Sequence, residues 1–262
     1  MKTLKLVAEE IRPGWDKPPA RAGRMAAAEL PLLPGVDEHL VTLLAPSSAE
    51  AEQYRSLRLT LERLRAAADC RVLAITSPAV REGKTTTAIN LAGAFCQPPA
   101  GRIVLVDVDL RRPAVATQLA LVKDGPGLTE LVREPSRPLD SVLQRVRDLH
   151  VITAGRPTSD PYPILQAPGF TQRVAELSRD FDRVILDLPP ILPVPDHRII
   201  SQAADGLLLI VAAHHTPRPL LEEALNALEP EKLLGLVFNR DDRALPRRYY
   251  GDYGKPAWTK RA

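Results

Sequence analysis

A short loop between an apolar run and a helical pattern carries residue types that bind phosphate groups. The loop spans Ser77–Thr86 and contains Gly83, Lys84 and Thr85 in succession. A glycine lets the backbone approach a phosphate closely, a lysine reaches the terminal phosphates, and a threonine hydroxyl can ligate Mg²⁺. The first turn of the helix adds free N–H groups and a positive dipole end. The loop therefore predicts a site for Mg-ATP. Its expected contributors are Ser77, Arg81, Glu82, Gly83, Lys84, Thr85 and Thr86.

The loop departs from the usual glycine pattern in two places. Pro78 stands where the first glycine is expected, and Arg81 occupies another position that is commonly glycine. A Gly-Lys-Thr triplet alone also fits a helix that begins with a solvated lysine. The apolar strand before the loop and the amphipathic helix after it favour phosphate binding.

Two further apolar runs end in aspartate. One runs from Ile103 into Asp107 and Asp109, and the other from Val184 into Asp187. Each aspartate alone could cap a helix. Because the carboxyl ends of parallel strands meet at one edge of a sheet, we expect all three carboxylates to converge on Lys84.

The rest of the chain alternates between short apolar runs and helical patterns. Strands are predicted at 71–75, 103–108, 150–153, 184–187, 206–212 and 234–238. Helices are predicted at 48–67, 84–95, 169–179, 195–203 and 220–228, with a weaker helical region at 127–147. This order predicts an α/β fold of the P-loop NTPase kind, a three-layer sandwich whose mostly parallel twisted sheet has helices on both faces.

Composition and charge set the class of protein. The chain has 262 residues, enough for one large α/β domain with tails. We expect a flexible leader at 1–36, an ATPase or kinase domain at 37–240 and a basic tail at 241–262. The net charge of +3 gives no reason to expect nucleic acid as a partner. The two cysteines lack metal-ligand spacing, and the first residues lack the apolar segment of a signal peptide.

The three motifs together resemble the Walker A, Walker A′ and Walker B set of the bacterial tyrosine kinases (BY-kinases), a branch of the ParA/MinD-type P-loop ATPases. The ParA/MinD branch usually carries a signature lysine where this chain has Ala79, as is typical of the kinases. The match extends from about His39 to the C-terminus. It implies an ATP- and Mg²⁺-dependent protein-tyrosine autokinase that regulates capsule or exopolysaccharide polymerisation and export.

The resemblance also implies roles for individual residues. Lys84 holds the phosphates, and Thr85, Asp109 and Asp187 hold Mg²⁺. Asp107 accepts or orients the proton of the tyrosine hydroxyl, while Arg111 either stabilises transferred charge or anchors its loop. Asn239 resembles the adenine contact, and Arg240 lies beside it in the nucleotide site.

Two more features resemble the kinases. Glu52, Arg55 and Arg58 lie on one face of the first predicted helix, where they could form ordinary ion pairs; in the family this pattern serves self-association into a ring or dimer. Three of the five tyrosines, Tyr249, Tyr250 and Tyr253, cluster in the tail. They resemble an autophosphorylation segment.

By the same resemblance, the kinase is cytoplasmic and peripheral at the inner face of the membrane. The cytoplasmic segment of a membrane-anchored polysaccharide co-polymerase activates it there, and protein tyrosines are its substrates. Two alternatives remain open at this point. The chain could be a ParA/MinD-like ATPase switch without tyrosine transfer, or a nucleotide-binding scaffold without catalysis.

Overall fold

The structure is a computed structural model that describes residues 33–68, 70–98 and 101–241. Most of the predicted leader lies outside these ranges. The tail from residue 242 onward, with Tyr249, Tyr250 and Tyr253, also lies outside the described residues. The three-part division of the chain therefore stays a prediction.

Seven strands form one sheet in the described chain. They are β1 (Val72–Thr76), β2 (Ile103–Asp107), β3 (Gln144–Val146), β4 (Leu149–Ile152), β5 (Arg183–Asp187), β6 (Gly206–Ala212) and β7 (Leu233–Asn239). Their order across the sheet is β3-β4-β2-β5-β1-β6-β7. Only β3 runs antiparallel, to its neighbour β4. The strands β1, β2, β5 and β6 are fully buried and mostly apolar, with polar residues at their ends, as expected of a sheet that is covered on both faces.

Helices pack on the two faces of this sheet. They are α1 (Val41–Leu44), α2 (Ala49–Ala68), α3 (Lys84–Phe95), α4 (Val115–Gln118), α5 (Leu128–Arg133), α6 (Tyr162–Gln166), α7 (Pro168–Asp180), α8 (His197–Ile200) and α9 (Arg218–Asn226). One face carries α3, against which α1 and α2 pack. The other carries a core that includes Leu131, Phe170 and Val174. The predicted three-layer α/β fold is confirmed.

The sequence prediction was wrong in one region. The helical region expected at 127–147 contains only the short helix α5, followed by a 3₁₀ turn at Leu139–Ser141 and the strand β3. Pro135 and Pro138 explain the break, because a proline inside a helix removes a hydrogen bond and clashes with the preceding turn.

Arg58 joins α2 to the C-terminal end of α3. Its guanidinium donates to the carbonyl oxygens of Ala94 at 2.8 Å and Gln97 at 2.6 Å, and it pairs with Glu62 at 2.7 Å. It also lies 5.8 Å from the ring centre of Phe95. The last carbonyl groups of a helix lack partners within the helix, so Arg58 caps α3, the helix that begins at Lys84.

The other two residues of that helix face, Glu52 and Arg55, form different contacts. Arg55 pairs with Glu52 and donates to the carbonyl oxygen of Pro46 and, at 2.8 Å, to Gln97. The three residues therefore have partners within this chain. Their role in self-association stays a prediction.

No helix in the described ranges has the length and apolar character needed to cross a bilayer.

Removing the Arg58 side chain should destabilise the domain. Arg58→Ala removes a donor of the Gln97 carbonyl, one of two donors to the Ala94 carbonyl and the partner of Glu62, so we expect the free energy of unfolding to fall by about 1–3 kcal/mol. Urea denaturation measures this change. Arg63→Ala, on an exposed site of the same helix, is the control and should change stability by less than about 0.5 kcal/mol. Equal effects of the two variants would contradict the capping role.

Candidate active site

The phosphate loop joins the end of β1 to the start of α3. Gly83, the residue before the helix, has a left-handed backbone with φ of 90°. A Cβ atom at this position would collide with the side-chain amide of Asn239. The conformation and the close approach of Asn239 together require glycine here. Gly83 is followed directly by the first turn of α3, which begins at Lys84.

Lys84 lies between two acidic strand ends. Its ammonium nitrogen is 2.9 Å from Asp109 Oδ2 and 3.5 Å from Asp187 Oδ1. Burial by itself would lower the pKa of Lys84, but the charges of Asp187 and Asp109 outweigh burial and raise the pKa above its ordinary value. The lysine is therefore a firmly charged group at the place where phosphates are expected.

Asp187 is fully buried at the end of β5. The hydroxyl of Thr85 donates to its Oδ2 at 2.6 Å, whereas Oδ1 accepts no hydrogen bond from the described residues. Burial raises the pKa of Asp187, and Lys84 opposes that rise. A buried carboxylate oxygen with only the Lys84 ammonium beside it at 3.5 Å, next to a threonine hydroxyl, is a donor set that suits a hard cation.

The donor set fits Mg²⁺ and not a metal held by protein ligands alone. No group of three or more His, Cys, Asp or Glu residues in the described ranges could hold a metal ion. Mg²⁺ is commonly bound by one or two carboxylates together with substrate phosphates. Thr85, Asp109 and Asp187 offer that kind of partial set.

Asp107 lies behind this group. Its Oδ1 accepts the N–H of Asp109 at 3.2 Å, and its Oδ2 accepts the N–H groups of Ala114 and Val115, both at 3.1 Å. Burial, followed by the charge of Asp187, raises the pKa of Asp107 well above its ordinary value. The carboxylate thus organises the turn that carries Asp109. Its predicted role as proton acceptor is untested.

Arg111 is held by a buried aspartate. It donates from Nε to Asp196 Oδ2 at 2.8 Å and from Nη2 to Oδ1 at 3.1 Å. The hydrogen bond to Asp196 raises the pKa of Arg111. Of the two alternatives left open by the sequence, this geometry favours the anchor. Asp196 itself was missed, since it lies 85 residues from Arg111 and no motif connects them.

Two cavities lie along this edge of the sheet. The larger, of about 750 Å³, contains Lys84, Thr85, Thr86 and Asp109 among its lining residues. The smaller, of about 240 Å³, is lined by Glu82 and by residues that follow β6. Val80, Arg81 and Arg240 line both. The larger cavity has the size of a small-molecule site.

The remaining predicted nucleotide residues hold the loop in shape. Ser77 is buried, and its hydroxyl donates to the Ala79 carbonyl at 2.7 Å. Asn239 donates to the Glu82 carbonyl at 2.9 Å. The Glu82 carboxylate accepts the N–H of Ala212 at 3.3 Å. These contacts tie the loop to β6 and β7.

Gln118 is a second residue that the sequence did not indicate. The hydroxyl of Thr86 donates to its side-chain oxygen at 3.1 Å, and Gln118 lines the larger cavity. It belongs to α4, which the sequence reading also missed.

Arg81 and Arg240 have left-handed backbones, with φ of 65° and 59°. This region is unfavourable for residues other than glycine, and residues held in it cluster at functional sites. Both side chains are exposed at the junction of the two cavities. Within the described residues, neither guanidinium forms a hydrogen bond or ion pair.

The chain is similar to known bacterial proteins over most of its length. It is 32% identical over 223 residues to the tyrosine-protein kinase YwqD of Bacillus subtilis, covering 84% of this chain and 92% of that protein. It is 31% identical over 205 residues to the succinoglycan biosynthesis transport protein ExoP of Rhizobium meliloti, covering 76% of this chain and 26% of ExoP. No protein-family model matches the chain.

Solved structures show the same architecture. The crystal structure of the chimerical protein CapA2B2 superposes with a TM-score of 0.72 at 27% identity, covering 80% of this chain and 94% of that one. The septum site-determining protein MinD of Pyrococcus horikoshii, complexed with Mg-ADP, gives a TM-score of 0.52 at 17% identity, covering 67% and 72%. The second likeness concerns the fold alone.

Neutralising Asp109 should separate nucleotide binding from its dependence on Mg²⁺. Asp109→Asn frees Lys84 from a carboxylate and removes one of the three candidate Mg²⁺ ligands. We expect nucleotide affinity in EDTA to rise about three- to tenfold, and added Mg²⁺ to strengthen binding less than in the parent protein. Titration with a fluorescent ATP analogue measures both effects. Asp148→Asn, on the turn before β4 at the opposite edge of the sheet, is the control. Loss of affinity in EDTA would contradict this arrangement.

Replacing Arg81 with glycine should weaken nucleotide binding without destabilising the fold. Arg81→Gly relieves the left-handed backbone, so stability should stay level or rise by up to about 1 kcal/mol. ATP affinity should fall about three- to tenfold because the cavity that is expected to hold the phosphates loses a positive charge. Ala120→Gly is the matched control, since Ala120 is exposed, has φ of 54° and lines neither cavity. Thermal melting and nucleotide titration of both variants test the pair, and unchanged ATP affinity in Arg81→Gly would refute the contact.

Proposed function

The chain belongs to the bacterial tyrosine kinase family, within the ParA/MinD-type P-loop ATPases, and we propose that it transfers the terminal phosphoryl group of ATP to tyrosine residues of its own tail. The observation that carries this proposal is the meeting of Lys84, Thr85, Asp109 and Asp187 at one open edge of the sheet. The transfer serves capsule or exopolysaccharide biosynthesis.

Different residues of the cavity bind different parts of Mg-ATP. Lys84 and the first N–H groups of α3 bind the terminal phosphates. Thr85, Asp109 and Asp187 hold Mg²⁺, which when bound neutralises charge on the transferred phosphoryl group. Lys84 leaves Asp109 as it turns to the phosphates. Arg81, Arg240 and Asn239 contact the nucleotide on the β6–β7 side.

Asp109 is the carboxylate best placed to receive the phenolic proton. A free phenol has a pKa of about 10, so its oxygen attacks more readily beside a proton acceptor. Asp109 lines the cavity, whereas Asp107 holds the turn behind it. The phenolic oxygen bonds to the γ-phosphorus, the bond from that phosphorus to the β–γ bridging oxygen breaks, ADP leaves, and the proton passes to the carboxylate.

The chain works with a membrane-anchored co-polymerase at the inner face of the cell membrane. Support comes from ExoP, named for transport in succinoglycan biosynthesis, of which this chain resembles about a quarter. The chimerical protein CapA2B2 aligns with this chain over 94% of its length. We propose that the cytoplasmic segment of such a partner activates the kinase.

One experiment tests this function. The purified full chain is incubated with γ-labelled ATP and Mg²⁺, with and without the cytoplasmic segment of its co-polymerase. Phosphotyrosine should form, and Lys84→Met should reduce it at least about 100-fold because the phosphates lose their cationic partner. The triple variant Tyr249→Phe/Tyr250→Phe/Tyr253→Phe should lose the label yet still bind ATP.

Two results would overturn the proposal. Release of inorganic phosphate without labelled protein would indicate an ATPase switch. Absence of nucleotide binding would indicate a scaffold. Asp148→Asn serves as the matched control for protein handling, and it should be labelled like the parent.

A further inference from the structure

The larger cavity extends along the sheet edge on both sides of Lys84. The strand order β2-β5-β1-β6-β7 places the loops after β2 and β5 on one side of the phosphate loop and those after β6 and β7 on the other. Arg81, Arg240 and the smaller cavity lie toward β6 and β7. If the nucleotide extends that way, the β2–β5 side remains for the second substrate.

That side has an apolar wall. The segment after β5 contributes Pro189, Pro190, Pro193 and Val194 to the cavity lining. Pro193 is exposed and Val194 half-buried, so both are accessible. Phosphates gain nothing from such a surface, whereas an aromatic ring buries apolar area on it.

Hydrogen bonds hold the wall against the end of β1 and the start of the phosphate loop. The carbonyl oxygen of Ser77 accepts the N–H of Ile191 at 2.9 Å, and the Thr76 hydroxyl donates to the Pro189 carbonyl at 2.7 Å. Asp196, just beyond the wall, holds Arg111. The wall therefore keeps a fixed position relative to Lys84 and Asp109, as positioning a reacting group requires.

Arg112 supplies charge at the same place. It follows Arg111, is exposed and lines the larger cavity. Its guanidinium forms no hydrogen bond or ion pair with the described residues. Unlike Arg111, it is available to an incoming chain.

We propose that the segment Pro189–Val194 seats the ring of the acceptor tyrosine, and that Arg112 favours a tyrosine preceded by an acidic residue. The tail of this chain offers one such tyrosine, Tyr253, which follows Asp252. Tyr249 follows Arg247 and Arg248, which Arg112 repels, and Tyr250 has no acidic neighbour before it. The Asp252–Tyr253 pair is therefore the occupant that this surface fits. The inference rests on the proposed tyrosine kinase function.

Acceptor peptides test the site without altering the fold. The enzyme is the full chain carrying Tyr249→Phe, Tyr250→Phe and Tyr253→Phe. The peptide spans residues 247–258 with Tyr249→Phe and Tyr250→Phe, in versions with Asp252 or with Asp252→Asn. The KM for the Asp252 peptide should be about three- to fivefold lower, the range of an exposed ion pair.

Variants of the enzyme assign that preference to Arg112. Arg112→Ala should raise the KM for the Asp252 peptide to that of the Asp252→Asn peptide and leave the latter unchanged. Arg112→Glu should restore binding to a peptide carrying Asp252→Lys. Val194→Asp, which places a charge on the apolar wall, should raise the KM for every peptide about tenfold while the Kd for ATP changes less than about twofold.

The outcomes separate this inference from the function on which it rests. If neither the tail of the parent chain nor any tyrosine peptide is labelled, the kinase proposal fails, whereas labelling of the tail but of no peptide would overturn this inference alone. If it labels peptides but Arg112→Ala shifts both KM values equally, the acidic preference is wrong. If Val194→Asp leaves every peptide KM unchanged, the wall is not the acceptor seat.

Discussion

The buried charges at the sheet edge constrain the rest of the molecule. Asp107 and Asp187 are register partners on adjacent parallel strands, so the fold itself forces two carboxylates side by side. Burial raises the pKa of both. Two unit charges 4 Å apart interact by about 4 kcal/mol at an effective dielectric of 20, so such a pair needs compensation. Backbone N–H groups at the start of α4 supply it for Asp107, and Lys84 supplies it for Asp187. The phosphate loop is thus positioned by charges that also serve its ligand.

The main features of the fold could be predicted because they depend on local pattern. Continuous apolar runs located β1, β2, β5 and β6 to within about one residue, and the rule for parallel strand ends brought Lys84, Asp109 and Asp187 together. The helices that were missed or wrongly predicted are short or are interrupted by proline. The short helices α4 and α6 are one to two turns long and leave no periodicity to detect. The helical region predicted at 127–147 is divided by Pro135 and Pro138.

The parts of the site that the sequence could not indicate are contacts between distant residues. Asp196 meets Arg111 across 85 residues, Gln118 meets Thr86 across 32, and Asn239 meets Glu82 across 157. None of these pairs has a spacing that predicts contact. Asn239 was assigned to adenine by resemblance, and the structure adds that its amide donates one hydrogen bond to the Glu82 carbonyl of the loop. The sequence predicts which charged residues lie at the strand ends. The positions of their side chains depend on contacts with residues distant in sequence, which the sequence pattern does not indicate.

The unusual glycine content of the loop has a structural explanation. Gly83 has a structural reason to be glycine, since its φ of 90° is strained for a residue with a side chain and a Cβ atom would displace the amide of Asn239. Arg81 has a φ of 65°, which a residue with a side chain can adopt at a cost of about 1–2 kcal/mol. Pro78 lacks an N–H group, but the loop uses its carbonyl oxygen, which accepts the N–H of Leu192 at 3.3 Å. One glycine is therefore required by geometry, and the other two positions tolerate substitution. The number of glycines is therefore a poor measure of whether this loop can adopt a phosphate-binding shape, because its shape depends on Asn239, Glu82 and the segment after β5.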